Sequence, residues 1–224
     1  MLNKLRAWLK SFHVEISDTQ LQLLGAYLDL IVLWNKKVNL VGAAQPDRIV
    51  EELFFDSLLP ARYLPPEGMV LDIGSGGGIP AIPLKILIPT LDFLLLEPKR
   101  KKSNFLKEAI RALKLDGAKV LRTRIEELPQ GFQKEGFHII TARAVMEPER
   151  ILDIATDHLA DGGTMVLFLG GMEAGKGTGK KRSFENFKEL ARSKGFKEEK
   201  LIFYKLPTRG TKRAIAIMKK GGGG

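Results

Sequence analysis

Cysteine is absent from the 224 residues of this chain, so disulfides, thiolate metal sites and catalysis by a thiol are all excluded. Histidine is scarce: His13, His138 and His158 are the three present, and their separations match no metal-ligand spacing, so no metal is expected. No apolar run reaches the length of a membrane span. The opening residues, MLNKLRAWLKSFH, place Leu2, Leu5, Leu9 and Phe12 on one helical face, unlike the solid apolar block of a secretory signal. These absences predict a soluble, cytoplasmic chain. What is in excess is positive charge, a formal +10, which favours a polyanionic partner such as nucleic acid. With 44% hydrophobic residues, the length suffices for one good core and a small appended subdomain.

The period of the apolar residues divides the chain. Up to about Leu64 it is helical: Ser17 with Gln20 forms a capping box ahead of DTQLQLLGAYLDLIVLW, and PDRIVEELFFDSLLP predicts a helix that starts with Pro46 and stops before Pro60. Residues 1–64 therefore read as an N-terminal helical subdomain. After Pro65-Pro66-Glu67-Gly68, short apolar runs (MVLDI, DFLLLE, AKVLRTR, FHIITAR, GTMVLFL) alternate with helical patterns. That alternation predicts an α/β domain over 65–220, a parallel Rossmann-like sheet with helices on both faces. KLIFYKL and RAIAIM follow with only Pro207-Thr208-Arg209-Gly210 between them, which predicts a hairpin that puts an antiparallel strand into the sheet. Residues 221–224, all glycine, are expected to form a disordered tail.

VLDIGSGGGIPAIPL joins the first strand to its helix. Gly74 and Gly76 fit a dinucleotide fingerprint, but its third glycine position is Ile79. Pro80 and Pro83 have no N–H to give a pyrophosphate in the first helical turn. The glycines, Gly78 included, instead let backbone approach a ligand without phosphates at the carboxyl end of the first strand, a description that S-adenosylmethionine meets. Glu97 ends the second strand about 20 residues on, where an acid bonds ribose hydroxyls. Arg124-Ile125-Glu126-Glu127 ends the third strand, where an adenine could be flanked.

Lys99-Arg100-Lys101-Lys102 stands just before a helix, where cations oppose the macrodipole; the cluster is a candidate for RNA phosphates. Gly170 to Lys176 satisfies G-x-x-x-x-G-K, yet Gly177 replaces the Ser or Thr that would hold magnesium, so nucleotide hydrolysis is not expected.

In the order WNKKVNLVG, FFDSLLP, VLDIGSGGGIPAIPL, EPKRKKSNFLKE, RIEEL and TARA, the chain resembles the GidB/RsmG family of bacterial ribosomal RNA methyltransferases from about Leu21 to Lys220. The resemblance implies a class I methyltransferase fold, S-adenosylmethionine as donor, and methylation of a guanine ring nitrogen in small-subunit ribosomal RNA, either naked or in an assembling subunit. It places cofactor contacts on Gly74, Ile79, Ile125, Glu126 and Arg143. Where the family usually has an L-K-G run, this chain has Leu169-Gly170-Gly171, and Lys176 or Lys180 could substitute from the following loop, beside the RNA.

The residues also bear on the acceptor. Attack at carbon five of a pyrimidine needs a cysteine nucleophile, and there is none. Exocyclic amine methylation goes with an N/D-P-P-Y/F loop, and Thr141-Ala142-Arg143-Ala144 stands there instead. The imidazole-ring nitrogen of guanine, which gives 7-methylguanosine, has a free lone pair and no proton to lose, so Arg143 would serve alignment and no general base is expected. Two other readings stay open on residues alone: an RNA-binding module without catalysis, and a dinucleotide-dependent oxidoreductase.

Overall fold

A computed structural model describes residues 1–42, 45–132, 136–143, 147–170 and 184–222. Its centre is a seven-stranded sheet in the order β3-β2-β1-β4-β5-β7-β6. The strands are β1 (Gly68–Ile73), β2 (Leu91–Leu96), β3 (Ala118–Leu121), β4 (Phe137–Arg143), β5 (Leu159–Gly170), β6 (Phe196–Lys205) and β7 (Lys212–Lys220). The first five are parallel. β7 inserts between β5 and β6 and is antiparallel to both, as the Pro207–Gly210 turn predicts.

Alternation along each strand sorts the core into two layers. Val70, Phe93, Leu95 and Ile139 face one side, where they merge with Leu5, Leu24, Tyr27, Phe54 and Phe55 of the N-terminal helices. Leu71, Leu94, Leu96 and Ile140 face the other, against Leu152, Ala155, Phe187 and Ala191. Those last four lie on α7 (Pro148–His158) and α8 (Phe184–Ser193). The first layer is covered by α1 (Leu2–Lys10), α2 (Asp18–Asn35), α5 (Ala81–Leu87) and α6 (Arg100–Ala112). The capping box at Ser17 forms with both of its hydrogen bonds.

The segment expected to be one α-helix ending before Pro60 is different. It runs as α3 (Pro46–Ile49), a π-helical stretch (Val50–Phe55), α4 (Asp56–Leu58) and a 3₁₀ turn (Leu59–Tyr63). The helical path passes through Pro60 because proline fits the first turn of the tighter 3₁₀ segment, where its N–H is not needed. The π-helical stretch has a use as well: the Glu52 carbonyl is turned to Arg143 and Arg213, which both donate to it at 2.8 Å.

Among the described residues no helix is long and apolar enough to cross a membrane. Gly221 donates its N–H to the Gly195 carbonyl at 2.8 Å, and 223–224 lie outside the described residues.

Candidate active site

The glycine loop leaves β1 through three left-handed turns, with φ of 68° at Gly74, 56° at Gly76 and 81° at Gly78, conformations that side chains disfavour. Their free sides face different surroundings. A Cβ on Gly76 would meet nothing closer than the Gly74 carbonyl at 3.8 Å and Lys102 Nζ at 3.9 Å. One on Gly78 would lie 2.6 Å from Ile82 Cδ1 and 2.8 Å from the Tyr27 hydroxyl. Gly76 thus opens onto free space, whereas Gly78 lets α2 and α5 close behind the loop. Tyr27, buried and stacked on Phe54 at 5.4 Å, clamps it by donating to the Gly77 carbonyl.

The loop's own N–H groups are largely spent. Gly78 and Ile79 donate to the Ser75 carbonyl, Ile82 donates to Gly78, and Gly76 donates to Glu97. With proline at positions 80 and 83, little remains to cradle a pyrophosphate, which counts against the dinucleotide reading.

Above the loop lies a cavity of about 600 Å³ at the carboxyl ends of β1 to β4, where sheets of this type bind ligands. Its lining brings together Gly74, Gly76, Ile79, Glu97, Lys99, Lys102, Ile125, Glu126 and Arg143 from the sequence-predicted set. Gly78 stands behind the wall. Glu97 is buried, and its carboxylate is held at both oxygens: Oε2 accepts from Gly76 N at 2.9 Å and Oε1 from Lys99 N at 2.8 Å. Each oxygen keeps a lone pair for a hydroxyl of the ligand. Ile125 presents a buried apolar wall, and the Glu126 carboxylate pairs with Arg150, which also lines the cavity.

The basic cluster divides. Lys99 caps α6, and Arg100 and Lys101 are exposed in its first turn, which carries no acidic residue. Lys102 turns inward, its Nζ 3.5 Å from the Leu40 carbonyl. Lys176 and Lys180 lie outside the described residues, as does most of the G-x-x-x-x-G-K stretch.

Some of the wall had no chemical signal in the sequence. Leu40 and Val41 border the cavity because Asn35 folds their segment back, its Oδ1 accepting from Leu40 N at 2.8 Å and Val41 N at 3.2 Å. Arg143 is half-buried, not part of a surface ion pair. It donates to Asp56 Oδ2 at 3.1 Å, and its guanidinium lies 5.5 Å from the centre of the Phe168 ring. Arg213 reaches the same Asp56 oxygen. Burial raises the Asp56 carboxyl against the pull of both arginines, and burial lowers Arg143. Asp56 sits inside the FFDSLLP run, where it reads as one more polar position on a helix.

The chain has recognisable relatives. The family described as GidB, rRNA small subunit methyltransferase G, matches residues 20–206. Ribosomal RNA small subunit methyltransferase G 1 of Syntrophobacter fumaroxidans is 40% identical over 170 residues, covering 74% of this chain and 77% of its own. Ribosomal RNA small subunit methyltransferase G of Syntrophotalea carbinolica is 30% identical over 220 residues, 98% of each chain. Among solved structures, a SAM dependent methyltransferase from Aquifex aeolicus shares the fold with a TM-score of 0.58 at 16% identity, over 78% of this chain and 93% of that one. The chain belongs to the GidB family of rRNA small subunit methyltransferases.

Proposed function

We propose that this protein transfers a methyl group from S-adenosylmethionine to the imidazole-ring nitrogen, position 7, of a guanine in small-subunit ribosomal RNA, in the cytoplasm. Family membership supports the reaction class and the RNA. The observation that carries the cofactor is Glu97, a carboxylate held by two backbone N–H groups at the rim of a cavity whose glycine loop has little left for phosphate.

S-adenosylmethionine supplies, when bound, a methyl group activated on a sulfonium. The chain's residues hold the reactants. Glu97 accepts from ribose hydroxyls, Ile125 and Glu126 border the adenine, and Gly74, Gly76 and Ile79 let backbone pass close beneath the ligand. Arg143, fixed by Asp56 and the Glu52 carbonyl, aligns the reacting groups. Because guanine N7 loses no proton on methylation, rate depends on alignment rather than on a base. Arg100 and Lys101, exposed in the first turn of α6, attract RNA phosphates, helped by the net charge of +10.

The test is to incubate the protein with labelled cofactor and small subunits, or naked RNA, from a strain lacking the activity, and to identify the labelled nucleoside by mass spectrometry. Label in 7-methylguanosine is expected. Label confined to an adenine, a pyrimidine or a ribose, or no label at all, overturns the assignment.

A further inference from the structure

A second cavity, of about 190 Å³, adjoins the first and shares Arg143 with it. It lies at the carboxyl ends of β4 and β5, where Asp56, Arg143, Phe168, Tyr204 and Arg213 line it. It is smaller than the ~300–1,000 Å³ of sites for drug-sized ligands, which leaves room for one flat heterocycle rather than a nucleotide.

Two of its polar atoms are buried without a hydrogen-bond partner: Asp56 Oδ1 and Arg143 Nη1. Their companions are fully engaged. The Asp56 carboxylate takes Arg143 Nη2 and Arg213 at Oδ2 and a hydrogen bond from the Tyr204 hydroxyl, and Arg143 Nη2 also donates to the Glu52 carbonyl. Buried polar groups are nearly always paired, so one free acceptor and one free donor beside a cavity point to a ligand that supplies the complement. The side chains are also held in place from outside the cavity. Glu52 carries Arg209 and Arg213, and Glu51 accepts the N–H of Thr208 and of Arg209, which ties the β6–β7 turn to the π-helical stretch.

From these atoms, and resting on the methyltransferase reading above, we infer that this cavity is the slot for the acceptor base and that it reads the Watson–Crick edge of guanine. That edge places two N–H donors, at N1 and N2, beside the O6 acceptor. The free Asp56 Oδ1, with two lone pairs, accepts both donors, and the guanidinium with one free N–H donates to O6. Adenine puts an amine where the guanidinium needs an acceptor, and cytosine offers the carboxylate a ring acceptor; both leave buried groups unpaired. Phe168 supplies an aromatic wall for the ring. Reading from this edge leaves N7 unbonded on the far side of O6, the side that faces Arg143 and the cofactor cavity. A site that gripped N7 with an arginine fork would block its own reaction.

The test uses ligand pairs on the whole chain saturated with S-adenosylhomocysteine, with nucleoside monophosphates titrated by saturation-transfer NMR. Guanosine monophosphate should bind about tenfold more tightly than adenosine monophosphate, since each buried group left unpaired costs about that factor or more. The 1-methyl derivative, which loses the N1 donor, should fall by about tenfold, while the 7-methyl derivative, which keeps the edge, should stay within about threefold. Asp56→Asn should abolish the preference for guanine over adenine while S-adenosylhomocysteine still binds. Tolerance of 1-methylation with loss on 7-methylation, equal binding of both purines, or no guanosine monophosphate binding at 10 mM, on the order of the weakest affinities worth measuring, each overturns the slot. Failure of the wild-type chain to bind S-adenosylhomocysteine would instead count against the cofactor reading.

Discussion

The N–H of Gly76 donates to Glu97 Oε2 at 2.9 Å, so the glycine loop and the end of β2 are fastened to each other before any ligand arrives. Glu97→Ala removes both the charged acceptor for the ribose and this fastening. Charge-assisted hydrogen bonds contribute about 1.5–3 kcal/mol, so S-adenosylhomocysteine affinity should fall about 10- to 100-fold by calorimetry. Glu97→Gln keeps one acceptor oxygen and should lie between. An unchanged affinity in the alanine variant removes Glu97 from the site.

Two glycines of the loop should respond in opposite ways. Gly76→Val projects into the cavity at the cost of a left-handed backbone, about 1–2 kcal/mol, so binding should be lost while the thermal transition stays cooperative. Gly78→Ala drives its methyl against Ile82 and the Tyr27 hydroxyl, so overpacking and strain should lower stability by about 1–3 kcal/mol. Denaturation curves and titrations on the same samples separate the two. A Gly76→Val chain that binds normally places the ligand elsewhere.

Arg143→Lys keeps a cation near Asp56 but loses the geometry that also reaches the Glu52 carbonyl. Turnover should drop by about 100-fold or more, well beyond the roughly tenfold loss in RNA affinity that one missing contact to the acceptor base would cause. Single-turnover rates and RNA binding, measured side by side, decide it; parallel losses would reduce Arg143 to a structural role.

The split of the basic cluster predicts a split in behaviour. Replacing Arg100 and Lys101 with Gln should lower the salt slope of single-stranded RNA binding by about 1.4, roughly 0.7 for each phosphate contact, and leave cofactor affinity alone. Lys102→Gln should weaken S-adenosylhomocysteine, since its ammonium faces the glycine loop, with little change in the slope. The reverse pattern would put Lys102 with the RNA.

Asp72, at the end of β1, is fully buried, accepts from the Thr141 hydroxyl at 2.6 Å, and has its carboxyl pushed up to about 6 by burial. A carboxyl raised in the folded state holds its proton longer than the unfolded chain does, so stability falls as pH rises from about 4 to about 6. At about 1.36 kcal/mol per unit, the cost reaches about 3 kcal/mol by neutral pH. Asp72→Asn should therefore gain on wild type by about that amount between pH 4 and pH 7.5 in urea denaturation. Parallel stability profiles would mean that Asp72 does not titrate in this range.

The sheet could be read from the sequence because each strand is a short apolar run and each crossover a helical pattern; even the antiparallel insertion showed, as two strands with no helix between them. The grouping of the glycines and Glu97 around the larger cavity was legible for the same reason, since they sit at fixed distances along one βαβ unit. The second cavity was not. Asp56, Phe168 and Arg213 come from three distant segments, and each occupies an ordinary position in its own helix or strand. Only the register that sets β7 beside β5, pairing Arg213 with Gly170, brings that arginine to Asp56. The π-helical stretch was hidden as well, because its hydrogen-bond spacing answers two guanidinium groups that lie elsewhere in the chain.

The order of strands at the sheet's far edge carries a consequence for how the chain folds. β6 precedes β7 in sequence, yet among the described residues its only neighbour in the sheet is β7, which itself pairs with β5. β6 therefore has no place on the growing sheet until the strand after it has docked. The Arg213 guanidinium and the Glu51 contacts to the β6–β7 turn arrive with that docking. Refolding from denaturant should thus show the parallel half, with its glycine loop, gaining protection from hydrogen exchange before the arginine pair is assembled around Asp56, so that competence to hold the cofactor precedes competence to accept a base.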